Sequence, residues 1–253
     1  MEKRLKSADS IRDHIKDLQE NSEYKSNKSD KTYVVESCNA VDIQNENTRT
    51  LMVDMVESSL KEYYINSSWG WSWKDKYNEL FSKESHFIII KQKQRPSIID
   101  NNTDTDTDTN INTSTNTENN SNNHNNNNNN SNRSTNENGL AGFVMFRFCY
   151  DDDDEPEFPC LYMYELNISP PSRGDGLGKY LVELLFKIQA KWRLWKTMLT
   201  CFIDNKDAMQ FYKRLGFGID VYSPSRSEIF QSDGEDREEV KYEILSNRPD
   251  ATS

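Results

Sequence analysis

The chain is poor in the residues that build metal or disulfide scaffolds. Its four cysteines are widely separated with no Cys-x-x-Cys pair, and it has three histidines. A structural zinc site needs several such ligands at close spacing, so we expect no metal and reduced thiols. Apolar runs are short too, and none approaches the roughly 18 residues of a membrane span. We therefore expect neither a disulfide scaffold nor a membrane protein.

Positive charge is also in deficit. The chain has 31 basic and 42 acidic residues, which gives a formal net charge of −11. Such a surface does not favour nucleic acid, whereas it attracts basic substrates. No apolar core follows the N-terminal Met-Glu-Lys-Arg of residues 1–4, so we expect no signal peptide. These features favour the cytoplasm and the nucleus.

Glycine is scarce, yet it is concentrated in the run Arg-Gly-Asp-Gly-Leu-Gly-Lys at residues 173–179. The run lies between a strand-like segment, 161–168, and a helix-like one, 177–195. Backbone N–H groups at such a helix start bind anions. A Walker loop would need glycine at Arg173 and a hydroxyl residue at Tyr180, and the spacing of G-x-G-x-x-G fails as well. The pattern that fits is Arg-x-x-Gly-x-Gly, from Arg173 to Gly178. The alternative is an ordinary tight turn between a strand and a helix.

One segment lacks the apolar residues needed for a core. Residues 101–138 are nearly all Asn, Thr, Asp and Ser, so we expect a disordered insertion. It separates two strand-like segments, and we interpret it as an expanded hairpin loop inside one domain. The expected organisation is an N-terminal segment 1–46 with a short helix at Ile11, Ile15 and Leu18 and a first strand, an interrupted domain 47–248, and a tail 249–253.

Periodicity and caps predict the order of the elements. Ser72 with Asp75 indicates a capping box, and Asn205 a helix cap. The alternation predicts α/β architecture with a mixed, mostly antiparallel sheet flanked by helices. The expected elements are strand 32–38, helix 47–65, helix 72–82, strands 86–91, 140–150 and 160–168, helix 177–195, strand 197–202, helix 206–215, and strands 217–222 and 239–245.

The glycine loop resembles the pyrophosphate loop of GNAT acetyltransferases, which hold acetyl-CoA. Further segments, at fitting distances over residues 48–248 without the insertion, are similar to the NatD-type N-alpha-acetyltransferases. They are Ser68-Trp69-Gly70-Trp71, Phe146-Arg147-Phe148, Tyr162-Met163-Tyr164-Glu165, Gly176-Leu177-Gly178-Lys179, Met198-Leu199-Thr200 and Tyr242-Glu243-Ile244-Leu245. The resemblance implies a GNAT fold and acetyl transfer from acetyl-CoA to the N-terminal amine of histones beginning Ser-Gly-Arg-Gly.

The resemblance also implies binding residues. Acetyl-CoA is expected in a splayed gap between strands 160–168 and 197–202, where backbone groups pair with its pantetheine. The expected cofactor-binding residues are Leu166, Asn167, Ile168, Arg173, Gly174, Asp175, Gly176, Leu177, Gly178, Lys179 and Asn205. The expected substrate-binding residues are Tyr64, Trp69, Tyr162, Tyr164, Thr200, Tyr222 or Ser223, and Tyr242.

Acetyl transfer needs a base for the amine and an acid for the departing thiolate. Glu165 is the expected base, directly or through a water, and its aromatic and apolar neighbours should raise its pKa. Tyr162 and Tyr164 should face one side of their strand because side chains alternate. Tyr164 or Tyr242 is the expected acid, and the sequence leaves that choice open. Tyr212 stands where many GNAT enzymes place a tyrosine near the thiol.

The chain departs from the NatD pattern after Phe148. Cys149 stands where the family has an aspartate that meets basic groups of the substrate, and an acidic run follows at residues 151–155. Asp151 is the expected substitute for that aspartate. The alternative is a solvated hairpin tip, which would weaken arginine recognition but leave the transfer chemistry intact.

Two other functions stay open at this stage. One is a GNAT enzyme that acetylates lysine side chains or small amines, and the other is a non-catalytic acyl-CoA-binding module. Tyr64, Trp69 and Tyr242 favour a closed acceptor pocket, and Glu165 with the intact loop favours catalysis. The expected partners are basic histone tails, with no direct nucleic acid and no membrane, and we expect a monomer.

Overall fold

The computed structural model describes residues 23–93, 139–150, 158–226 and 240–248. The expected helix at residues 11–18, the insertion 101–138 and Asp151 lie outside these ranges. The strands are β1 Glu23–Lys25, β2 Thr32–Asn39, β3 His86–Gln92, β4 Leu140–Tyr150, β5 Pro159–Ile168, β6 Thr197–Phe202, β7 Gly218–Ile219 and β8 Tyr242–Asn247. The helices are α1 Glu46–Ile65, α2 Trp73–Leu80, α3 Leu177–Trp192 and α4 Lys206–Arg214. No helix among the described residues is long and apolar enough to cross a membrane.

The described strands form one mixed sheet in the order β1-β2-β3-β4-β5-β6-β8-β7. Within it β5 and β6 pair in parallel, and the other neighbours pair antiparallel. The parallel pair follows from the connection, because α3 carries the chain across the sheet before β6 begins. The expected α/β class with a mostly antiparallel sheet is confirmed.

Helices cover both faces of the sheet. On one face α1 buries Met52, Val53 and Val56 against β3 and β4. On the other face α3 buries Leu181 and Leu185, at helical spacing, against the central strands. The strands between the two clusters are therefore covered on both sides, and the sheet forms the middle layer.

An extra residue interrupts the pairing of β4 with β5. Met145 lies opposite Glu165, but Phe146 lies opposite Met163, so Tyr164 has no partner in the register. A bulge of this kind bends its strand and re-aims side chains. Met163 packs in the cluster under α3, whereas Tyr164 packs in the cluster under α1. In a regular strand, Glu165 and Tyr164 would point to opposite faces of the sheet. The bulge instead allows both side chains to face α1 and α2.

Several element boundaries differ from those predicted. Helix α3 ends at Trp192, three residues early, because Arg193 adopts a left-handed conformation with φ 51°. The last two strands are displaced, since pairing covers Gly218–Ile219 and Tyr242–Asn247 rather than 217–222 and 239–245. Strand β1 was not predicted, because its three residues have no apolar alternation.

Ser72 and Asn205 both act as helix caps, and the structure shows the Ser72 half of the predicted capping box. The Ser72 side chain accepts from the backbone N–H of Asp75 at 3.3 Å, at the start of α2. The Asn205 side chain accepts from the N–H of Ala208 at 3.2 Å, at the start of α4. Each cap satisfies one backbone donor that the first helical turn would otherwise leave without a partner.

The β1–β2 hairpin anchors the glycine loop from behind. Tyr33, Ser26 and Lys31 all donate to the carboxylate of Asp175, and Lys31 lies 3.3 Å from it. The hydroxyl of Tyr24 donates to the backbone carbonyl of Asp175 at 2.9 Å. The hydrogen bond from Tyr33, with the other donors, lowers the pKa of Asp175 to about 2. The ionised carboxylate therefore holds the loop to the hairpin.

Replacing Asp175 tests this anchor. Because its folded pKa is below the ordinary value of 3.8, its contribution to stability is present above that value and is lost as the pH falls toward 2. We expect Asp175→Asn to lower the thermal unfolding midpoint at pH 7 by roughly 3–10 °C. The difference in unfolding midpoint between this variant and wild type should become smaller below about pH 4, where the Asp175 carboxylate of the wild type begins to be protonated.

Exposed Asp204 provides the matched control, and Asp204→Asn should leave the midpoint unchanged. Differential scanning calorimetry across the pH range measures both variants. A loss for Asp175→Asn that is equally large at pH 3 and pH 7 would contradict the anchoring role of the charge.

Candidate active site

Strands β5 and β6 separate where the site begins. Their register runs from Leu161 opposite Thr197 to Met163 opposite Leu199, and it stops there. Ser169 donates to Ala141 on β4, so the backbone groups of alternate residues, Leu166 and Ile168, face the gap. The expected splayed gap is present, and two of its residues offer backbone groups to a ligand.

A cleft of about 460 Å³ opens along this gap. It runs between the sheet and helices α1, α2 and α4, so elements from the N-terminal and C-terminal halves of the chain both contribute to its walls. Most of the predicted site residues line it, namely Tyr64, Trp69, Tyr162, Tyr164, Glu165, Leu166, Asn167, Ile168, Arg173, Gly178, Thr200 and Asn205.

Glu165 lies at the centre of a buried polar network. Its Oε1 accepts from Lys76 Nζ at 3.0 Å, and its Oε2 accepts from Asn167 Nδ2 at 3.3 Å. Ser59 on α1 donates to Asn167 Oδ1 at 2.7 Å, which orients that amide toward Glu165. Asn167 thus meets the cleft through its side chain, because its backbone faces β4. The carboxyl is held at both oxygens.

Burial sets the proton affinity of the network. Desolvation raises the pKa of Glu165 above its ordinary value, although the charge of Lys76 opposes the rise. Burial alone would lower the pKa of Lys76, but the charge of Glu165 and of Glu79 outweighs it and raises that pKa. Lys76 is therefore an ammonium, and the predicted upward shift of Glu165 is confirmed in direction.

Two tyrosines of β5 line the cleft side by side. The rings of Tyr162 and Tyr164 lie 4.8 Å apart between centroids, so the expectation that they share a face is confirmed. The Tyr162 hydroxyl forms a short hydrogen bond with Thr200 on β6, and burial raises its pKa to about 12. The guanidinium of Arg147 lies 4.4 Å from the centroid of the Tyr164 ring. Both rings are thus fixed by neighbours on adjacent strands.

An aromatic cluster lines one end of the cleft. The rings of Tyr64 and Trp69 each contact Phe202, with centroids 5.1 and 5.4 Å away. Tyr242 does not line the cleft itself, but its ring lies 4.6 Å from that of Trp69. Burial raises the pKa of Tyr64 to about 12, so its hydroxyl stays protonated. Tyr242 therefore lies next to two residues of the cleft lining, Trp69 and Tyr162.

Arg173 and Gly178 are the residues of the glycine loop that line the cleft, whereas Gly174, Asp175 and Gly176 lie outside its lining. Gly174 and Gly176 have φ of 85° and 86°, which favours glycine. A Cβ at Gly174 would meet nothing within 4 Å, so the surface there is open to a ligand. A Cβ at Gly176 would lie 2.5 Å from the Tyr24 hydroxyl, so the hairpin restricts this position from behind. The Asp175 carboxylate also points to the hairpin.

The two cations predicted for the pyrophosphate differ in position. Arg173 lines the cleft and donates through Nε to the carbonyl of Ile168 at 3.1 Å. The Lys179 side chain is 64% exposed and lies 3.6 Å from Glu183 on the same helix. Arg173 is therefore the cation that the cleft itself presents.

Tyr222 and Leu177 are two more predicted residues that lie outside the cleft lining. Tyr222 is half exposed outside the cleft lining, with its ring 5.2 Å from Lys196 Nζ. Leu177 is buried in the core, so its backbone alone is available to a cofactor.

The sequence did not indicate several residues that line the cleft. They are Ser59, Leu60, Lys76, Glu79, Cys201, Phe202, Asp207, Ala208 and Phe211, while Tyr212 had only a weak indication. The inward spacing of Lys76 and Leu80, four residues apart on α2, is the one signal that pointed to a buried lysine.

Comparison with known proteins supports a single superfamily. The model of the acetyltransferase (GNAT) family matches residues 105–217, a range that contains β4, β5, the glycine loop, β6 and α4. The match therefore includes the Glu165 strand and the anion-binding loop together. Over these residues the chain is similar to the GNAT acetyltransferases, and the expected GNAT fold is confirmed.

Solved structures with similar folds are remote in sequence. NAA60 of Arabidopsis thaliana with a bisubstrate analogue is 10% identical, with a TM-score of 0.49 over 85% of this chain and 98% of that one. A GNAT acetyltransferase of Listeria monocytogenes is 12% identical, with a TM-score of 0.48 over 90% and 99%. An N-acetyltransferase of Thermoplasma acidophilum with coenzyme A is 13% identical, with a TM-score of 0.44 over 86% and 98%.

The cleft fits acetyl-CoA, the donor that this superfamily uses. Leu166 and Ile168 turn backbone groups to the gap, as a strand-like pantetheine requires. The open side of Gly174 and the start of α3 would hold the pyrophosphate, with Arg173 beside them. Among the described residues, no cluster of His, Cys, Asp and Glu could hold a metal ion.

The different positions of the two cations give a paired test. Arg173→Ala should weaken acetyl-CoA binding roughly 10-fold, because it removes a charge-assisted contact inside the cleft. Lys179→Ala should change the affinity less than about 2-fold, because Lys179 does not line the cleft and its side chain lies near Glu183. Isothermal titration calorimetry with acetyl-CoA measures both, and equal losses would show that the pyrophosphate lies outside the position assigned to it.

Proposed function

We propose that the protein is an N-alpha-acetyltransferase that acetylates the N-terminal amine of histones beginning Ser-Gly-Arg-Gly. The observation that carries the proposal is the position of Glu165. This buried carboxyl stands at the mouth of the gap that fits the donor and beside the aromatic cluster that lines the acceptor end. A base, a donor channel and an acceptor pocket therefore meet at one point.

The chemistry suits an α-amine. An α-amine titrates near 7.7–8.0 and a lysine near 10.4, so at pH 7 roughly a tenth of α-amines are neutral, against about one lysine in a few thousand. An α-amine therefore needs only modest help to lose its proton. A carboxyl whose pKa burial raises above the ordinary glutamate value supplies that help, directly or through a water.

The aromatic cluster favours a chain terminus over an internal segment. Tyr64, Trp69 and Phe202 contact one another ring to ring, with Tyr242 behind Trp69. An internal lysine needs room for the chain to pass on both sides, whereas a terminus needs room on one side. We expect these packed rings to close the acceptor end of the cleft, which leaves room for the chain on one side only.

The departing thiolate needs a proton, and two cleft phenols are placed to give one. Tyr164 lines the cleft beside Glu165, which supports it over Tyr242. Tyr212 on α4 also lines the cleft, and because burial raises its pKa its hydroxyl is protonated. We assign the acid to one of these two tyrosines.

Charge supports a basic acceptor. The net charge of −11 attracts histone tails over distance, and Glu79 adds a carboxylate to the cleft lining. We further propose that Asp151 contacts basic groups of the substrate, in place of the family's aspartate. The proposal includes action as a monomer in cytoplasm and nucleus, where histones are made and used.

A peptide panel tests the substrate. The purified protein with acetyl-CoA is expected to add one acetyl group to a Ser-Gly-Arg-Gly peptide and to leave the same peptide with a blocked N-terminus unmodified. A peptide with a blocked terminus and an internal lysine should also stay unmodified. Modification of the lysine peptide at an equal rate, read by mass spectrometry, would replace the proposal with a side-chain acetyltransferase.

Glu165→Gln separates catalysis from binding. The amide keeps the size of the side chain but cannot accept the amine proton, so we expect kcat to fall roughly 100-fold or more. Peptide affinity in the presence of coenzyme A should change little. Steady-state kinetics and calorimetry measure the two quantities, and equal losses in both would assign Glu165 to substrate binding.

A further inference from the structure

A buried cation stands next to the proposed base. Lys76 is 6% exposed, although lysine is among the residues least often buried. Its Nζ donates to Glu165 Oε1 at 3.0 Å and to the Tyr64 hydroxyl at 2.7 Å, and it contacts a carboxylate oxygen of Glu79. All three donors of the ammonium are therefore used inside the cleft wall.

We propose that Lys76 is a positioning residue for the acetyl transfer, holding the Glu165 carboxyl ionised and turned toward the acceptor amine. This inference rests on the role of Glu165 proposed above. In this proposal Lys76 contacts neither acetyl-CoA nor the peptide amine, and it acts only through the carboxylate of Glu165.

The geometry explains the orientation. Lys76 holds Oε1, and Asn167, itself held by Ser59, holds Oε2. Rotation of the carboxyl group would break one of the two contacts. Each carboxylate oxygen accepts more than one hydrogen bond, so both contacts leave lone pairs for the amine proton.

The charges around Glu165 explain why a cation is needed. Tyr64 approaches from α1, Lys76 and Glu79 from α2, and Tyr212 from α4. Burial and the Glu79 carboxylate favour a neutral Glu165, which cannot accept a proton. The ammonium of Lys76 favours the ionised form of Glu165. An opposite charge at this distance lowers the pKa of a carboxyl group by about 1–3 units.

Lys76→Met distinguishes positioning from simple packing. The variant keeps the length of the side chain and loses the charge. We expect kcat/KM relative to wild type to be about 10-fold or more lower near pH 6 and to recover as the pH rises and Glu165 ionises unaided. The same peptide serves both enzymes, so the titration of its amine cancels in the ratio. A deficit of equal size at every pH would overturn the proposal.

Two more variants keep the test decisive if Lys76→Met does not fold. Lys76→Arg retains the charge and should restore most of the activity lost near pH 6. Glu79→Gln removes the competing carboxylate from a half-exposed position. When each kcat/KM profile is normalised to its own high-pH plateau, so that any loss of peptide attraction cancels, the low-pH limb of Glu79→Gln should lie at lower pH than that of wild type. If the low-pH limb of Glu79→Gln did not move, or if its activity relative to wild type fell further toward low pH, the proposal would be overturned.

A titration that needs no acceptor separates this inference from the proposed function. The δ-carbon of Glu165, assigned in ¹³C NMR spectra with Glu165→Gln, should titrate at lower pH in Glu79→Gln and at higher pH in Lys76→Met than in wild type. Failure of the peptide panel with these shifts present would reject the substrate and keep the role of Lys76. Unchanged titration with an active panel would reject the role of Lys76 alone.

Discussion

The divergence of β5 from β6 is the constraint on which the rest of the site depends. After Met163 and Leu199 the two strands stop pairing, although both continue. The open edge leaves Leu166 and Ile168 with backbone groups facing the cleft. A sheet that remained paired to its ends would have no room for a ligand between its strands, whatever side chains it carried.

The buried network on the cleft wall couples elements that are distant in the chain. Lys76 and Glu165 are 89 residues apart in sequence, and Ser59 and Asn167 are 108 apart. One hydrogen-bonded unit thus ties α1 and α2 to β5. Such a unit is costly to leave half satisfied in a low-dielectric interior, so the position of the helices and the orientation of the carboxyl depend on each other.

The sequence predicted the features that short segments encode. The glycine loop, the caps at Ser72 and Asn205, and the strand that carries Glu165 each depend on neighbouring residues, and each is present. Lys76 and the Asp175 anchor were not predicted, because their partners lie far along the chain; Tyr33 and Asp175 are 142 residues apart. The bulge at Tyr164 was missed since a pattern of alternating residues does not reveal a register shift.

That single inserted residue has a consequence for how the fold can change. Removing Tyr164 would leave Met163 and Glu165 on opposite faces, where each already lies, so the strand would regain an unbroken ladder with β4. The straighter strand would also be free to extend its contact with β6. A regular sheet and an opening for a ligand are therefore alternatives at this position.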